Sequence, residues 1–358
     1  MTLIYALFKL LPSRNKVVFL SKQSNSPGID FKMVIEELSR QNPVPEIEII
    51  CCRVDKKIDY SRFGIAVLKS LYHLATSRVC VLNSYWPAVS ALKHKKDLYV
   101  IQMWHSLGKI KQSGWKAVDK PGGRRKTVAE AVKMHNGYDC ILAGAPIWNH
   151  CYCESFGCSE DAILNIGLPR MDFIRERSQE TRQRLLDKFS FLAEGNVVIY
   201  APTFRRNNNK APFAIDVTRL EDPFYVLVVK AHDNQPLIAD VAMRCQDTTT
   251  LELLSVADVL ITDYSAVALE AAWANVPTLY YCPDFNEYAA STGLNINIFE
   301  EMPGCVFDEA NELILAVKRA LRGEYPLELL NRYREKYLLG DDAQPTQKVV
   351  SLILNRMI

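Results

Sequence analysis

Short apolar runs alternate along this chain with longer stretches in which apolar side chains recur roughly every three or four positions. The runs are rich in Val, Ile, Leu and Tyr and almost unbroken, which is typical of strands buried on both faces of a sheet. The periodic stretches are typical of amphipathic helices. This alternation predicts an α/β protein with parallel sheets built from βαβ units.

The predicted strands fall into two groups. The first comprises 16–20, 46–51, 79–82, 98–103, 140–143 and 163–166, and the second comprises 197–201, 225–229, 259–262 and 278–281. Predicted helices are 31–40, 65–75, 128–135, 147–156, 180–189 and 251–257, followed by 309–322, 326–337 and 346–357 in the tail. We interpret 167–195 as the connection between two domains, with a charged helical segment at 172–188. The expected organisation is 1–172, 173–335 and a final helical segment at 336–358.

Composition supports two domains and narrows the class of protein. A chain of 358 residues exceeds one typical core. Net charge is only +2, so nucleic acid is not an expected partner. The ten cysteines are scattered, and the single cluster, Cys151, Cys153 and Cys158, lacks the spacing of a metal site, so we expect reduced thiols in a cytosolic protein and no metal.

The N-terminus carries an apolar stripe with basic neighbours. No apolar run approaches the roughly 20 residues that span a bilayer. The stripe comprises Leu3, Ile4, Leu7, Phe8, Leu10 and Leu11, with Lys9, Arg14 and Lys16 beside it. Such a segment either lies in a membrane interface or packs as a helix on its own domain, and the pattern leaves both open.

One strand of the first group ends in Trp104-His105, with Gly108 just beyond. Ligands of open α/β sheets bind at the carboxyl ends of the strands. An unperturbed histidine titrates at about 6.5, so a histidine at this position can take a proton near neutral pH. His105 is therefore a candidate general base; the alternative is a core histidine bonded to a carbonyl.

Three strands of the second group end in groups that suit phosphate. Hydroxyls, cations and the amides of a helix start all bind phosphate oxygens. A glutamate one turn into the following helix can accept from a ribose or polyol hydroxyl. Taken one at a time, these strand ends could equally be solvated turns and a plain helix cap. The candidates are Thr203, Arg205, Lys230, His232, Asp263, Ser265 and Glu270.

Five motifs in this order resemble the CDP-glycerol glycerophosphotransferase family, the teichoic-acid primases and polymerases, over nearly the whole chain. They are Gln-Met-Trp-His at 102–105, Gly-Leu-Pro-Arg-Met-Asp at 167–172, Ala-Pro-Thr-Phe-Arg at 201–205, Lys-Ala-His at 230–232 and Ala-Asp-Val-Leu-Ile-Thr-Asp-Tyr-Ser at 257–265.

The resemblance implies a GT-B fold, with two Rossmann-like domains facing a central cleft and C-terminal helices returning to the first domain. It implies a peripheral enzyme at the cytoplasmic face of the cell membrane. Such enzymes move glycerol phosphate from CDP-glycerol to a hydroxyl of an undecaprenyl-linked acceptor and release CMP. No metal or other cofactor is expected.

Carried over by position, the family pattern makes His105 the base. It makes Asp30, expected in the loop after the first strand, an acidic residue facing that base. The donor pyrophosphate is expected on Thr203, Arg205, Lys230, His232 and Ser265. The chain has Ser106, Asp233 and Ala266 where the family usually has Gly, Pro and Ser. These departures leave the carried polyol open between glycerol, ribitol and another alcohol.

A basic segment after His105 is a candidate acceptor or membrane contact. Its candidate residues are Lys109, Lys111, Trp115, Arg124 and Arg125. Basic and aromatic side chains suit a lipid pyrophosphate at an anionic surface, and the alternative is a solvated basic loop. Two other functions remain in view: a GT-B glycosyltransferase that uses a nucleotide sugar, and a non-catalytic membrane-bound module with the same fold.

Overall fold

The computed structural model describes residues 1–54, 59–203, 215–230, 245 and 247–357. The described chain divides into two compact units. Unit 1 comprises Met1–Leu107, Ser113–Asp172 and Leu339–Ile358, and unit 2 comprises Gly108–Gln112 and Phe173–Leu338. The short excursion of 108–112 into unit 2 has no counterpart in the organisation expected from the sequence.

Unit 1 is built on a six-stranded parallel sheet in the order β2-β1-β3-β4-β5-β6. Its strands are β1 Arg14–Ser21, β2 Glu46–Cys51, β3 Ser77–Leu82, β4 Tyr99–Gln102, β5 Cys140–Ala143 and β6 Ile163–Asn165. Its helices are α1 Thr2–Phe8, α2 Ile29–Leu38, α3 Asp59–Thr76, α4 Pro87–Ala91, α5 Lys126–Ala131 and α6 Asn149–Phe156. The connection from β1 leads to β2 on one side of it, and the connection from β2 returns to β3 on the other side of β1. This creates a topological switch point at the carboxyl ends of β1 and β3.

A long charged helix, α7 Arg170–Lys188, leads into unit 2, whose five parallel strands have the order β11-β10-β9-β7-β8. The strands are β7 Asn196–Tyr200, β8 Tyr225–Val229, β9 Val259–Thr262, β10 Thr278–Tyr281 and β11 Val306–Phe307. The helices are α8 Thr250–Leu253, α9 Val267–Trp273, α10 Phe285–Ser291, α11 Ile298–Glu301, α12 Ala310–Leu321 and α13 Leu327–Tyr337. Here the switch point lies between β7 and β9.

The last helix, α14 Pro345–Leu354, belongs to unit 1, where it packs against α2. Its N-terminus is tied down by the Thr346 N–H, which donates to Asp172 Oδ2 at 2.7 Å. Gly167 makes room for this junction: its φ is +77°, and the side chains of Met171 and Pro345 crowd the place of a Cβ. In the described part of the chain, no helix is both long enough and apolar enough to cross a membrane.

The ten predicted strands are all present, because nearly continuous apolar runs have few other stable uses in an α/β chain. Strand β11 was missed, since only two residues pair with β10. The helix expected at 128–135 is wrong at its end. It stops at Ala131, and Lys133 and His135 have φ values of +47° and +61°, which a helix does not accept.

Candidate functional site

Trp104 and His105 stand at the carboxyl edge of the unit 1 sheet, on a turn that the buried side chain of Gln102 holds in place. Trp104 has φ of +62°, an uncommon conformation for a bulky residue. Its N–H donates to Gln102 Oε1 at 2.9 Å. The hydrogen bond offsets the cost of this backbone conformation and turns the chain sharply as it leaves β4.

His105 lies at the switch point itself. Its Nδ1 is 2.8 Å from the backbone oxygen of Asn83, which follows β3, and 3.4 Å from the side-chain Nε2 of Gln23, which follows β1. Because a carbonyl only accepts, the shorter contact puts the proton on Nδ1 and makes Nε2 the basic nitrogen. The alternative interpretation was a core histidine bonded to a carbonyl. The carbonyl bond is present, but the ring is half-buried, so His105 is not a core residue.

The ring of His105 is also held by an aromatic neighbour. The Trp104 and His105 ring centroids are 4.1 Å apart with a 34° tilt, and Trp104 packs edge-on against Phe156 of α6 at 5.1 Å. Two directions of the imidazole are thereby fixed, one by a hydrogen bond and one by stacking. A base that keeps a set orientation needs little reorganisation when it takes a proton.

Asp30 is not in a loop, as the sequence analysis expected, but in the first turn of α2. Its carboxylate accepts the backbone N–H of Arg170 at 2.8 Å and the Arg170 Nε–H at 3.0 Å, with a further ion pair to Nη2. The acid therefore anchors the start of α7 through the Gly-Leu-Pro-Arg-Met-Asp motif. Its role as the acidic partner of His105 stays a prediction.

In unit 2, the loops after β7 and β9 are locked together at the switch point. The Thr203 N–H donates to both carboxylate oxygens of Asp263, at 2.9 and 3.0 Å, and the Thr262 hydroxyl donates to the Ala201 carbonyl at 2.8 Å. Asp263 is 2% exposed. The structure thus places this carboxylate as a support for the Thr203 loop.

Other donor candidates lie at the same edge of the unit 2 sheet. Lys230 directly follows β8, and its N–H donates to the Tyr200 carbonyl at 2.8 Å. Ser265 is half-buried just before α9, with its Oγ 3.4 Å from the Val267 nitrogen, and Glu270 is buried within α9. Arg205 and His232 lie outside the described residues.

An aromatic clamp that the sequence analysis missed supports the Asp-Tyr-Ser turn. Tyr264 stacks on Tyr288 of α10 with centroids 4.2 Å apart, and its hydroxyl donates to Asp284 Oδ1 at 3.1 Å. Burial, and then the nearby acidic groups, raise the pKa of Tyr264 far above its ordinary value, so the hydroxyl stays a donor. Gln23 and Asn83 were missed too, although both follow strands and the strand-end rule applies to them.

The five candidates of the basic segment are divided between the two units. Lys109 and Lys111 belong to unit 2, where the Lys109 carbonyl accepts from Asn295 Nδ2 at 2.6 Å and Lys111 forms a bridge with Leu294. Lys109 is only 2% exposed. The other three candidates belong to unit 1.

Trp115 is a packing residue of unit 1, in a short 3-10 turn at 114–117. Its Nε1–H donates to the Met134 carbonyl at 2.9 Å, and its ring covers Gly157 at the end of α6. Arg124 and Arg125 are exposed. Contact of these side chains with an acceptor or a membrane stays a prediction.

All ten cysteines are free thiols. Within the described ranges, no three His, Cys, Asp or Glu side chains are grouped so that they could hold a metal ion.

Two doubly wound parallel sheets, each with polar groups at its switch point, define the GT-B class. The wall teichoic acid polymerase TagF has this fold: it superposes with a TM-score of 0.77 at 19% identity, covering 99% of this chain and 93% of that one. The model of a family described as CDP-Glycerol:Poly(glycerophosphate) glycerophosphotransferase matches residues 3–355, and the chain belongs to this family.

Two relatives from Bacillus spizizenii show how far the similarity extends. The teichoic acid poly(ribitol-phosphate) polymerase is 27% identical over an alignment of 369 residues, gaps included. The alignment covers 98% of this chain but only 58% of that protein. The teichoic acid ribitol-phosphate primase is 27% identical over 363 residues, which cover 96% of this chain and 92% of the relative.

Proposed function

We propose that this protein transfers a polyol phosphate from a CDP-polyol to a hydroxyl of a lipid-linked cell-wall or capsule acceptor and releases CMP. Family membership supports a polyol-phosphate transferase. The observation that carries the proposal is His105, which is held at the unit 1 switch point with Nδ1 bonded to a carbonyl and Nε2 basic.

His105 acts as the general base in this proposal. Its Nε2 removes the proton from the acceptor hydroxyl while the acceptor oxygen forms a bond to the β-phosphorus of the donor. The bond between that phosphorus and the oxygen of CMP breaks, and the negative charge leaves with CMP. Histidine is the side chain that most often performs such proton transfers in enzymes.

Unit 2 holds the donor in this proposal. Lys230 and the hydroxyls of Thr203 and Ser265 contact the pyrophosphate, together with Arg205 and His232. Asp263 supports them through the Thr203 backbone. Phosphoryl transfer depends on positioning and charge neutralisation, and the proposal assigns both to side chains without invoking a metal. Chelation of divalent metals is expected to leave turnover unchanged.

The carried polyol remains between glycerol and ribitol. The family description names glycerophosphate, whereas both relatives act, by name, on ribitol phosphate. We place glycerol phosphate first because the five motifs of this chain resemble the CDP-glycerol glycerophosphotransferase family. Glu270, buried at the same sheet edge as the phosphate candidates, is the residue proposed to accept from a donor hydroxyl.

An exposed apolar face supports a peripheral position on a membrane, which we propose to be the cytoplasmic face of the cell membrane. Helix α1 is anchored by Tyr5, which is buried and contacts His94 Nδ1 through its hydroxyl at 2.6 Å. The opposite face of α1 exposes Leu3 and Leu7, and Ile65 of the adjacent α3 is 68% exposed. We propose that this face enters the headgroup region of an anionic bilayer.

Calorimetric titration with CDP-glycerol, CDP-ribitol and UDP-glucose tests the donor class. Binding of one CDP-polyol in preference to UDP-glucose is expected. Preference for UDP-glucose would instead indicate a glycosyltransferase with the same fold.

His105→Ala tests the base. We expect turnover to fall by about a hundred-fold or more while the affinity for the donor is kept, since the base is not part of the proposed donor site. His150→Ala, which removes an exposed imidazole from α6 of the same unit, is the matched control and should behave as wild type. Loss of donor binding in His105→Ala would contradict the assignment.

A further inference from the structure

Two cationic residues contact the loop that follows β3, Lys22 through its backbone and Arg124 through its guanidinium. Lys22 comes directly after β1, and its backbone N–H donates to Ser84 Oγ at 2.9 Å. The Arg124 guanidinium carbon lies 5.3 Å from the centre of the Tyr85 ring. Since Ser84 and Tyr85 are consecutive, both residues contact one short loop at the switch point of unit 1.

The segment that carries Arg124 is held in place by backbone contacts. The Asp119 N–H donates to the Arg124 carbonyl at 2.9 Å, and Asp119 Oδ1 accepts from the Lys126 N–H at 2.8 Å. Asp119 is the one acid between 107 and 126, and its carboxylate is engaged by the backbone. On the opposite side, the Tyr85 hydroxyl donates to the Val132 carbonyl at 2.9 Å, which fixes the ring under the guanidinium.

The two charges are close enough to repel each other. Burial, and then the positive charge of Arg124, lower the pKa of Lys22. Over the described ranges of the chain, neither cation has an Asp or Glu within ion-pair distance. Lys22 instead lies over the Phe63 ring, with Nζ 5.2 Å from the ring centre. Holding two like charges together in this way is unfavourable until an anion binds between them.

The pair also adjoins the proposed base. Gln23, the next residue after Lys22, contributes the side chain 3.4 Å from His105 Nδ1. Asn83, the residue before Ser84, contributes the carbonyl that orients the same ring. Lys22 therefore lies on one of the loops that border His105, and Arg124 packs against the other.

We propose that Lys22 and Arg124 form a phosphate subsite for the acceptor, beside His105. This inference rests on the proposed function and specifies its acceptor: a molecule that carries a phosphate monoester or diester near the hydroxyl that is to be deprotonated. The two cations bind the phosphate oxygens, Arg124 through paired N–H donors and Lys22 as a point charge. Binding of the phosphate brings the hydroxyl to the imidazole.

The test measures binding of glycerol 3-phosphate and of glycerol to the full chain by calorimetry. Wild type is expected to bind glycerol 3-phosphate and to bind glycerol far more weakly. Lys22→Met and Arg124→Gln should each weaken binding of the phosphate by about ten-fold, the effect of losing one charge-assisted contact. Equal binding of glycerol and glycerol 3-phosphate would overturn the subsite, as would unchanged affinity in both variants.

Matched controls remove the same charges elsewhere. Lys348→Met takes an exposed lysine from α14 of unit 1, and Arg332→Gln takes an exposed arginine from α13. Both should bind glycerol 3-phosphate as wild type does. Lys22→Arg, which keeps the charge, should retain most of the affinity lost in Lys22→Met; failure of this rescue in a protein with wild-type circular dichroism would also overturn the subsite.

Two further measurements identify the source of the phosphate. If Lys22→Met and Arg124→Gln weaken CDP-polyol binding instead, the cations belong to the donor site and the inference is wrong. If they weaken only sedimentation with phosphatidylglycerol vesicles, they bind lipid headgroups and it is equally wrong. Failure of the proposed function has a different result: wild type then binds no CDP-polyol and releases no CMP, whatever happens at Lys22 and Arg124.

Discussion

Replacing Asp30 by asparagine separates a structural role of this acid from a catalytic one. The carboxylate accepts both the backbone and the side chain of Arg170, and the two side chains are only 9% and 17% exposed. Asparagine keeps the size and one acceptor oxygen but removes the charge. The arginine is then left largely buried without its counter-ion.

The expected loss of stability follows from these contacts. Breaking a buried pair by removing one partner costs about 3–5 kcal/mol. Asparagine retains one hydrogen bond to the backbone of Arg170, which is worth about 1 kcal/mol. We therefore expect Asp30→Asn to destabilise unit 1 by about 2–4 kcal/mol, which lowers its melting temperature by about 5–15 °C for a unit of this size.

The assay is scanning calorimetry on wild type, Asp30→Asn, Arg170→Met and the double variant. If the pair is structural, the double variant loses less stability than the sum of the singles, with a coupling of about 1–3 kcal/mol. Asp161→Asn, an exposed carboxylate in the same unit, is the control. An unchanged melting temperature together with a large fall in kcat for Asp30→Asn would refute this reasoning and assign Asp30 to catalysis.

Three further changes have defined outcomes. Asp263→Asn removes the charge that holds the Thr203 N–H and should weaken CMP binding about five- to thirty-fold by titration; unchanged affinity would contradict its supporting role. Gly167→Ala, at a φ of +77° and with a methionine sulfur 2.9 Å from the new Cβ, should cost about 2–4 kcal/mol in urea unfolding. Gly304→Ala, at +78° with open space, should cost only about 1–2 kcal/mol, and equal costs would contradict the crowding. Burial lowers the pKa of His73, so the unfolded chain binds the proton more readily and stability should fall as pH drops from about 7 to 5. The contribution of one histidine to this slope of unfolding free energy against pH cannot exceed about 1.4 kcal/mol per pH unit. His73→Gln should flatten the slope, and an identical slope would exclude His73 as its source.

The strands were predictable because a strand buried on both faces leaves a direct mark on the sequence. The run that forms β8 and the run that forms β9 have no polar interruption, and their observed bounds are Tyr225–Val229 and Val259–Thr262. Helices left a weaker mark. The charged helical segment predicted at 172–188 corresponds to α7, which begins two residues earlier, at Arg170. Its many charged positions leave no clear apolar stripe, although Met171 and Ile174 are buried.

The position of His105 was predictable for the same reason, since a polar residue directly after a buried strand must lie at the sheet edge. Asn83 and Gln23 also follow strands, but their position beside His105 was not predictable. They are 22 and 82 residues away along the chain, and only the order of the strands brings them to one point. Strand order depends on crossover connections, which leave no local pattern.

Asp30 shows where reasoning by position fails. Its neighbourhood in the sequence suggested a loop, but Gly28 supplies an extended backbone, with ψ of 175°, and the helix begins at Ile29. An acid in the first turn of a helix is stabilised by the helix dipole and needs no catalytic explanation. The deciding fact, the contact with Arg170, lies 140 residues further along the chain.

Polar residues at strand ends fall into two groups: those whose buried side chains bond to the backbone, and those whose side chains stay partly exposed. This division explains which sequence predictions carry chemistry. A side chain at the end of a strand does not have to fill the core, so its polarity is informative in either case. Asp263 and Gln102 belong to the first group, because each is buried and accepts a backbone N–H of a neighbouring turn. His105 and Ser265 belong to the second group, since both are half-buried. His105 lies on the turn that Gln102 shapes, and Ser265 lies two residues after Asp263. Residues of the first group thus help to fix the geometry of the second. Substitutions in the first group should lower the precision of the site, and substitutions in the second should remove its chemistry.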